Sequence, residues 1–330
     1  MSRENKSSIV VIGGGTGTYT VLIGLKKFSA NLTAIVTMMD SGGSSGRLRD
    51  EFGTLPPGDV RQSLVALSAD TSVLRNLFNY RYEKGEGLSG HSFGNLFLTS
   101  LAQVMGGMDR AIFETSKILN IKGKVLPVTV DSAHLVAKYE NGLEVSGEGN
   151  IDEPKHDGKL RIDDIRLEPV ANSFQPTLDA IGEADIIVIG PGDLYTSLVP
   201  NLLVPKVASA VCKAPAKKVY IVNLMTKYGQ TYGFKASDHV KTIDKYLGAD
   251  CLSYILINNV PLPKEILKKY EEEGDYPVED DLKDNGYKIV REDFLAKDPI
   301  KRSKGDTLKR SLIRHDSVKL AKIIINIANG

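Results

Sequence analysis

Five short, largely apolar runs constrain this chain more than anything else in it. They are Ile9–Ile12, Thr33–Met38, Asp185–Ile189, Lys218–Val222 and Leu252–Ile257. Strands that read as nearly continuous apolar segments are buried on both faces, as in a central parallel sheet. Between them the apolar spacing is helical: up to Leu25 after the first strand, then Val60–Ala69, Gly94–Val104, Arg110–Leu119 behind Asp109 as N-cap, Asp238–Leu247, Pro263–Glu273 and Asp316–Ala328. The alternation predicts a Rossmann-like, doubly wound, mostly parallel α/β sheet.

One stretch breaks the rhythm. Lys124–Val130 is β-branched, Leu135–Tyr139 and Leu143–Ser146 flank the hairpin signal Asn141-Gly142, and Ile162–Leu167 reads as another strand. The expected organisation is residues 1–123 as the first part of a nucleotide-binding domain, 124–170 as a small β-rich insertion or subdomain, and 171–330 as the second part.

With 42 Lys and Arg against 41 Asp and Glu, the net charge is +1. No global field draws the chain to nucleic acid or an acidic membrane, so any anion is bound locally. No apolar stretch reaches the ~18 residues of a membrane span, and the segment after Met1–Ser8 is too short for a signal peptide core. The two cysteines, Cys212 and Cys251, are in no CxxC pattern. No disulfide or zinc site is expected from them, which fits a reducing, cytoplasmic setting. The acidic stretch Glu271–Asp284 and the basic stretch Lys297–Arg314 read as solvated surface.

Ligands of open α/β sheets sit beyond the carboxyl ends of the strands, and there the polar residues gather. Gly13, Gly14, Gly15, Thr16 and Gly17 join the first strand to its helix, where amides and the helix dipole can cradle a phosphate. Asp40 follows the second strand, leading into a glycine- and serine-rich loop with Gly43, Ser44, Ser45, Arg47 and Arg49; its glycines let amides converge on an anion and its arginines offer planar forks. Pro57, Gly58 and Asp59 precede a helix that Asp59 and Gln62 can cap. Arg61 then lies in the first turn, a position unfavourable for a cation that an anionic ligand would relieve. His91 and Asn95 flank Ser92 at another helix start. Gly190, Pro191, Gly192 and Asp193 follow the Asp185–Ile189 strand, Asn223 and Asn258-Asn259 follow the next two, and Arg314 precedes the last helix. The reading finds no Ser/His/Asp spacing, no HExxH and no G-x-S-x-G elbow, so no catalytic residue and no metal ligand is singled out.

The segments Val10–Thr18, Asp40–Ser68, Gly90–Leu101, Ile189–Val204, Val222–Thr226 and Leu312–Ala321 together resemble the YvcK/CofD-like family, and within it the YvcK branch, the gluconeogenesis factors. The resemblance covers nearly the whole chain. It implies a Rossmann-like fold that binds a nucleotide, in the YvcK branch a UDP-sugar, notably UDP-N-acetylglucosamine. It also implies a cytoplasmic protein linked to cell shape, cell-wall synthesis and growth on gluconeogenic carbon, with a protein partner in wall synthesis and a homodimer as further expectations. The family's phosphate loop falls on Gly13 to Gly17, its acid-plus-glycine loop on Asp40 to Arg47, its PPGD on Pro56 to Asp59, its second glycine turn on Gly190 to Gly192, and its Arg-His-Asp on Arg314 to Asp316. The sister branch, 2-phospho-L-lactate transferase, makes a phosphotransferase with Mg²⁺ beside the nucleotide the alternative. Two departures stand out. The family has two adjacent acids where this chain has Asp40-Ser41. In the Gly-Pro-Gly-Asp turn Asp193 stands where the YvcK branch more usually has Ser, and the absence of the transferase's Gly-Pro-Ser-Asn argues against that branch.

Overall fold

The computed structural model describes residues 7–28, 31–69, 72–284, 286–297 and 311–330. Ten strands are described: β1 (Ser8–Gly13), β2 (Asn31–Val36), β3 (Lys124–Pro127), β4 (His134–Tyr139), β5 (Glu144–Ser146), β6 (Ile162–Glu168), β7 (Ile186–Ile189), β8 (Lys217–Ile221), β9 (Tyr254–Asn258) and β10 (Lys288–Glu292). The helices are α1 (Gly15–Leu25), α2 (Gly43–Phe52), α3 (Gly58–Leu67), α4 (Ser72–Asn79), α5 (Phe93–Met105), α6 (Met108–Ile118), α7 (Glu148–Asp152), α8 (Gln175–Gly182), α9 (Val199–Leu203), α10 (Val207–Lys213), α11 (Ala236–Leu247), α12 (Lys264–Glu273) and α13 (Ser317–Asn329). A single wide turn, Leu194–Leu198, leads into α9.

Seven strands form one parallel sheet in the order β10-β9-β8-β7-β1-β2-β3. The apolar runs are continuous because both faces are covered. Ile9 and Val11 of β1 join Val36, Val188 and Ile221 under α1, α3, α5, α6 and α13. Val10 and Ile12 point the other way, into a core with Ile187, Ile189, Tyr220 and Ile255 under α9, α10 and α11. Each such side chain taken out of water stabilises the fold by about 1.5–3 kcal/mol before entropic costs.

β4, β5 and β6 form a separate antiparallel sheet in the order β5-β4-β6, the hairpin turning at Asn141-Gly142, where Gly142 has φ +84°. The β-rich segment of the sequence reading therefore divides: Lys124–Pro127 leaves the insertion and pairs with β2 as the edge of the large sheet. Its side chains alternate between exposed and buried, which suits an edge strand as well as an antiparallel one, so the pattern alone did not choose.

Three other readings change. The Gly43–Phe52 segment, read as a loop, is helix α2. The acidic stretch from Glu271 is not free surface: Thr226 N–H bonds Tyr276 O and Val278 N–H bonds Leu224 O, tying it to the chain beyond β8. The basic stretch falls mostly on residues 298–310, outside the described residues. Cys212 and Cys251, expected to be unpaired, form a disulfide with Cα atoms 5.2 Å apart, because the end of α10 packs beside the turn before β9. The pair withdraws the cysteine argument for a reducing compartment.

Candidate functional site

Strand order reverses between β1 and β7. The chain leaves these neighbours in opposite directions and opens a crevice beyond their carboxyl ends. A cavity of about 530 Å³ lies there. Sixteen of the residues expected at the site line it: Gly14, Gly15, Thr16, Gly17, Asp40, Gly43, Ser44, Ser45, Gly58, Asp59, Asn95, Pro191, Gly192, Asp193, Asn223 and Arg314. Gly13, Pro57, Gly190, Arg47 and His91 do not. Gly13 and Gly190 lie behind the wall: a Cβ on Gly13 would meet Thr18 and Leu198, and one on Gly190 would meet Leu198.

The two glycine turns touch. A Cβ on Gly17 would collide with the backbone carbonyl of Pro191, so only glycine lets α1 start this close to the turn after β7. Asn223 holds that turn from the other side: its Nδ2 donates to Gly192 O at 2.9 Å and its Oδ1 accepts from Gly192 N at 3.4 Å. Its amide supports backbone. Asn258 does the same for Val260 and Phe294, and neither Asn258 nor Asn259 lines the cavity.

The expected loop after β2 is ordered by its helix. Arg47 is exposed and its Nη2 donates to Ser89 O at 2.8 Å; Arg49 is buried and donates to Ala133 O at 2.6 Å. The arginine forks thus face other parts of the chain, not the cavity. A helix fixes each side chain at its own angle, so both cannot follow the serines inward.

Asp59 also has a different task from the one expected. The N-cap of α3 is Pro57; Asp59 lies in the first turn and accepts from Gly15 N at 2.8 Å, capping α1 from a neighbouring element. Burial, then repulsion from Asp40, pushes its carboxyl up to about 7, against the pull of the Gly15 bond and Arg61. Burial also raises Asp40, although Ser45 and Gly42 donate to it. Arg61 is buried and donates to Asn95 Oδ1 at 2.9 Å and Asn79 Oδ1 at 2.8 Å, so protein amides surround the cation at the helix start.

The small sheet contributes a wall that no motif announced. Glu148 and Asp152 of α7 line the cavity. Glu148 accepts from Ser41 N at 3.2 Å, and Ser41 Oγ accepts from Gly149 N at 2.9 Å. An acid is therefore supplied from α7 at the position where the resemblance expected one at residue 41. Burial first, then Asp40 and Asp152, hold Glu148 well above the usual carboxylate range. Lys227, just past the Asn223–Thr226 segment, bridges Asp152 and Asp193. Burial would lower its ammonium, but the two carboxylates outweigh that and hold it above the usual lysine value. Arg81, Tyr270, Glu273 and His315 also line the cavity, the imidazole pushed down to about 4 by burial.

Chemically, the starts of α1 and α2 line a pocket whose side chains include several mutually repelling acids. Such a pocket takes an anion well only beside a cation or with some acids protonated. Among the described residues, no three metal-ligating side chains converge.

The sequence matches the family described as 2-phospho-L-lactate transferase CofD over residues 9–295. It is 44% identical to the gluconeogenesis factor of Bacillus subtilis over 325 residues, 98% of each chain. It is 39% identical to the gluconeogenesis factor of Listeria innocua over 326 residues, 98% of this chain and 97% of that one. A crystal structure of a Bacillus halodurans protein superposes with a TM-score of 0.89 at 42% identity, covering 97% of this chain and all of that one.

Proposed function

The chain belongs to the CofD family, and from that premise we propose that it is a nucleotide-sugar-binding regulatory protein, its ligand a UDP-sugar such as UDP-N-acetylglucosamine. One observation carries the reading: glycine turns from both halves of the sheet meet at one cavity at the switch point, with the amides of two helix starts along it. The diphosphate would lie against Gly14–Gly17 and the Gly43–Ser45 start of α2, with Arg314 approaching from just before α13. A ligand that favours one arrangement of these elements shifts the population without chemistry, as a sensor requires. By analogy with its gluconeogenesis-factor relatives, the protein would act in the cytoplasm on growth with gluconeogenic carbon, cell shape and wall synthesis, through a protein partner and as a homodimer. Calorimetry with UDP-N-acetylglucosamine, UDP and GDP tests this: saturable uridine nucleotide binding is expected, and its absence removes the proposal.

A second reading, a phosphotransferase of the phospholactate class, is favoured by the family description and by Asp40 and Asp59. Mg²⁺ is commonly held by one or two carboxylates plus substrate phosphates. Asp40 and Asp59, each raised partly or wholly by burial, fit that role with a bound diphosphate; a protein-only cage does not fit. When bound, the ion would neutralise phosphate charge, while the helix-start amides orient the diphosphate. Transfer of phospholactate from a guanosine-activated donor to a deazaflavin, dependent on Mg²⁺, would establish this reading; no turnover with nucleotide binding intact would remove it.

A further inference from the structure

We propose that Ser44 is a nucleophile, with His91 as its base, poised to attack the phosphorus of a phosphoric anhydride held in the cavity. The geometry around Ser44 Oγ carries the inference. The Arg61 guanidinium can only donate, so Asn95 Oδ1 accepts from its Nε at 2.9 Å. The other end of that amide, Nδ2, must then donate to Ser44 Oγ, at 3.1 Å. His91 Nδ1 lies 2.9 Å from the same oxygen; with the ring proton on Nε2, the tautomer this role requires, it accepts the Ser44 proton. A serine serving as an anion donor would turn its proton to the ligand. In that tautomer the proton goes to the imidazole, the Asn95 amide holds one lone pair and the other is left over, the hydrogen-bond pattern of an activated hydroxyl.

All four residues are buried, and Ser44, Asn95 and Arg61 line the cavity with His91 behind them. Around His91 stand Arg47 and Glu51 of α2 and Arg81 from the segment after α4; burial, then the Arg47 charge, holds the ring below its usual value and so neutral. Ser44 is the second residue of α2, whose first-turn amides offer donors to a charged oxygen. Gly42-Gly43-Ser44-Ser45-Gly46 does have the G-x-S-x-G spacing that the sequence reading failed to find. It differs from a hydrolase elbow in that Ser44 is helical and the positive φ, +45°, belongs to Gly43. Gly46 must lack a side chain because a Cβ would collide with Ser41 O.

In the step, a bond forms between Ser44 Oγ and phosphorus as the anhydride P–O bond breaks. Its electron pair leaves with the departing phosphate, and the Ser44 proton passes to His91 Nδ1. His91 releases that proton to solvent; water then attacks the phosphorus, giving a proton to His91, which passes it to Ser44 Oγ as the serine O–P bond breaks and free phosphate is formed. The natural substrate rests on the nucleotide reading; the nucleophile does not.

The test treats the full chain with diisopropyl fluorophosphate and maps the adduct by peptide mass spectrometry. A single adduct on Ser44 is expected, forming faster as pH rises through the histidine range and at least ten-fold slower in His91→Asn. No adduct, an adduct on Ser45, or a pH-independent rate in the wild-type chain overturns the proposal, even if His91→Asn does not fold. Calorimetry on the same sample separates the two readings. Nucleotide binding without labelling removes the nucleophile alone, and labelling without nucleotide binding removes the nucleotide reading alone.

Discussion

Asp59 belongs to α3 in sequence and to α1 in function, because one of its oxygens holds the Gly15 amide. With a carboxyl near 7 in the folded chain against an ordinary value of 3.8, the folded state binds its proton the more tightly. Its stabilising effect is full below pH 3.8 and is lost as pH rises to about 7. Asp59→Asn, whose amide oxygen can still accept from Gly15, should therefore melt progressively higher than the wild type from pH 4 to 7 and keep a constant advantage above. His315 and His239, both pushed down to about 4, act oppositely, losing stability as pH falls from 6.5, but they cancel in the difference between the two proteins. A melting difference that is flat with pH would mean the carboxyl is not raised. At Gly17, alanine gains about 1 kcal/mol of helix propensity, yet its Cβ meets the Pro191 carbonyl. Overpacking against backbone costs about 1–3 kcal/mol, so urea denaturation should find Gly17→Ala destabilised. The arginines separate as well. Arg314→Ala should weaken nucleotide binding roughly ten- to hundred-fold, about 1.5–3 kcal/mol. Arg47→Ala should leave it unchanged in calorimetry, because that fork is spent on Ser89.

Among the elements, α2 and α7 show where sequence reading stopped. The glycines and serines of Gly42–Gly46 resemble a loop because their helix propensity is low. What makes them helical is packing: Leu48 is 1% exposed in the core, and Arg49 pins the helix to Ala133. Helix α7 is five residues long and has no motif, so nothing local marks Glu148 or Asp152 as site residues. They reach the cavity because Lys227 ties α7 to the turn after β7 through Asp152 and Asp193, with Gln230 donating to Asp152 at 2.7 Å. Lys227→Met would leave both carboxylates facing each other without their cation. The lysine is 31% exposed, so the loss should be about 1–2 kcal/mol, below that of a fully buried pair. Urea denaturation checks the size, and hydrogen exchange should show the loss of protection concentrated in α7 and the Gly190–Asp193 turn.

For the molecule as a whole, the cavity draws its walls from Gly14 to His315, from the strand ends of the large sheet and from α7. A ligand there binds only the assembled chain, so it should raise the melting temperature of one cooperative transition. At a hundred times Kd the gain is about 2.7 kcal/mol, several degrees by scanning calorimetry. A transition that splits, with one part unmoved by UDP-N-acetylglucosamine, would show that the walls do not melt together.

The parallel sheet is legible in the residues alone, since runs of apolar residues this continuous are buried on two faces. So are the turns at Gly14–Gly17 and Pro191–Gly192, since close backbone approach excludes side chains and leaves a local signature. Which charged groups meet is settled by the folded chain. Glu148 stands beside Ser41, Lys227 beside Asp152 and Asp193, and Ser44 beside His91, through contacts between residues 34 to 107 positions apart. Charge and hydrogen-bond direction act over a few ångströms of space, and that distance exists only once the chain has closed.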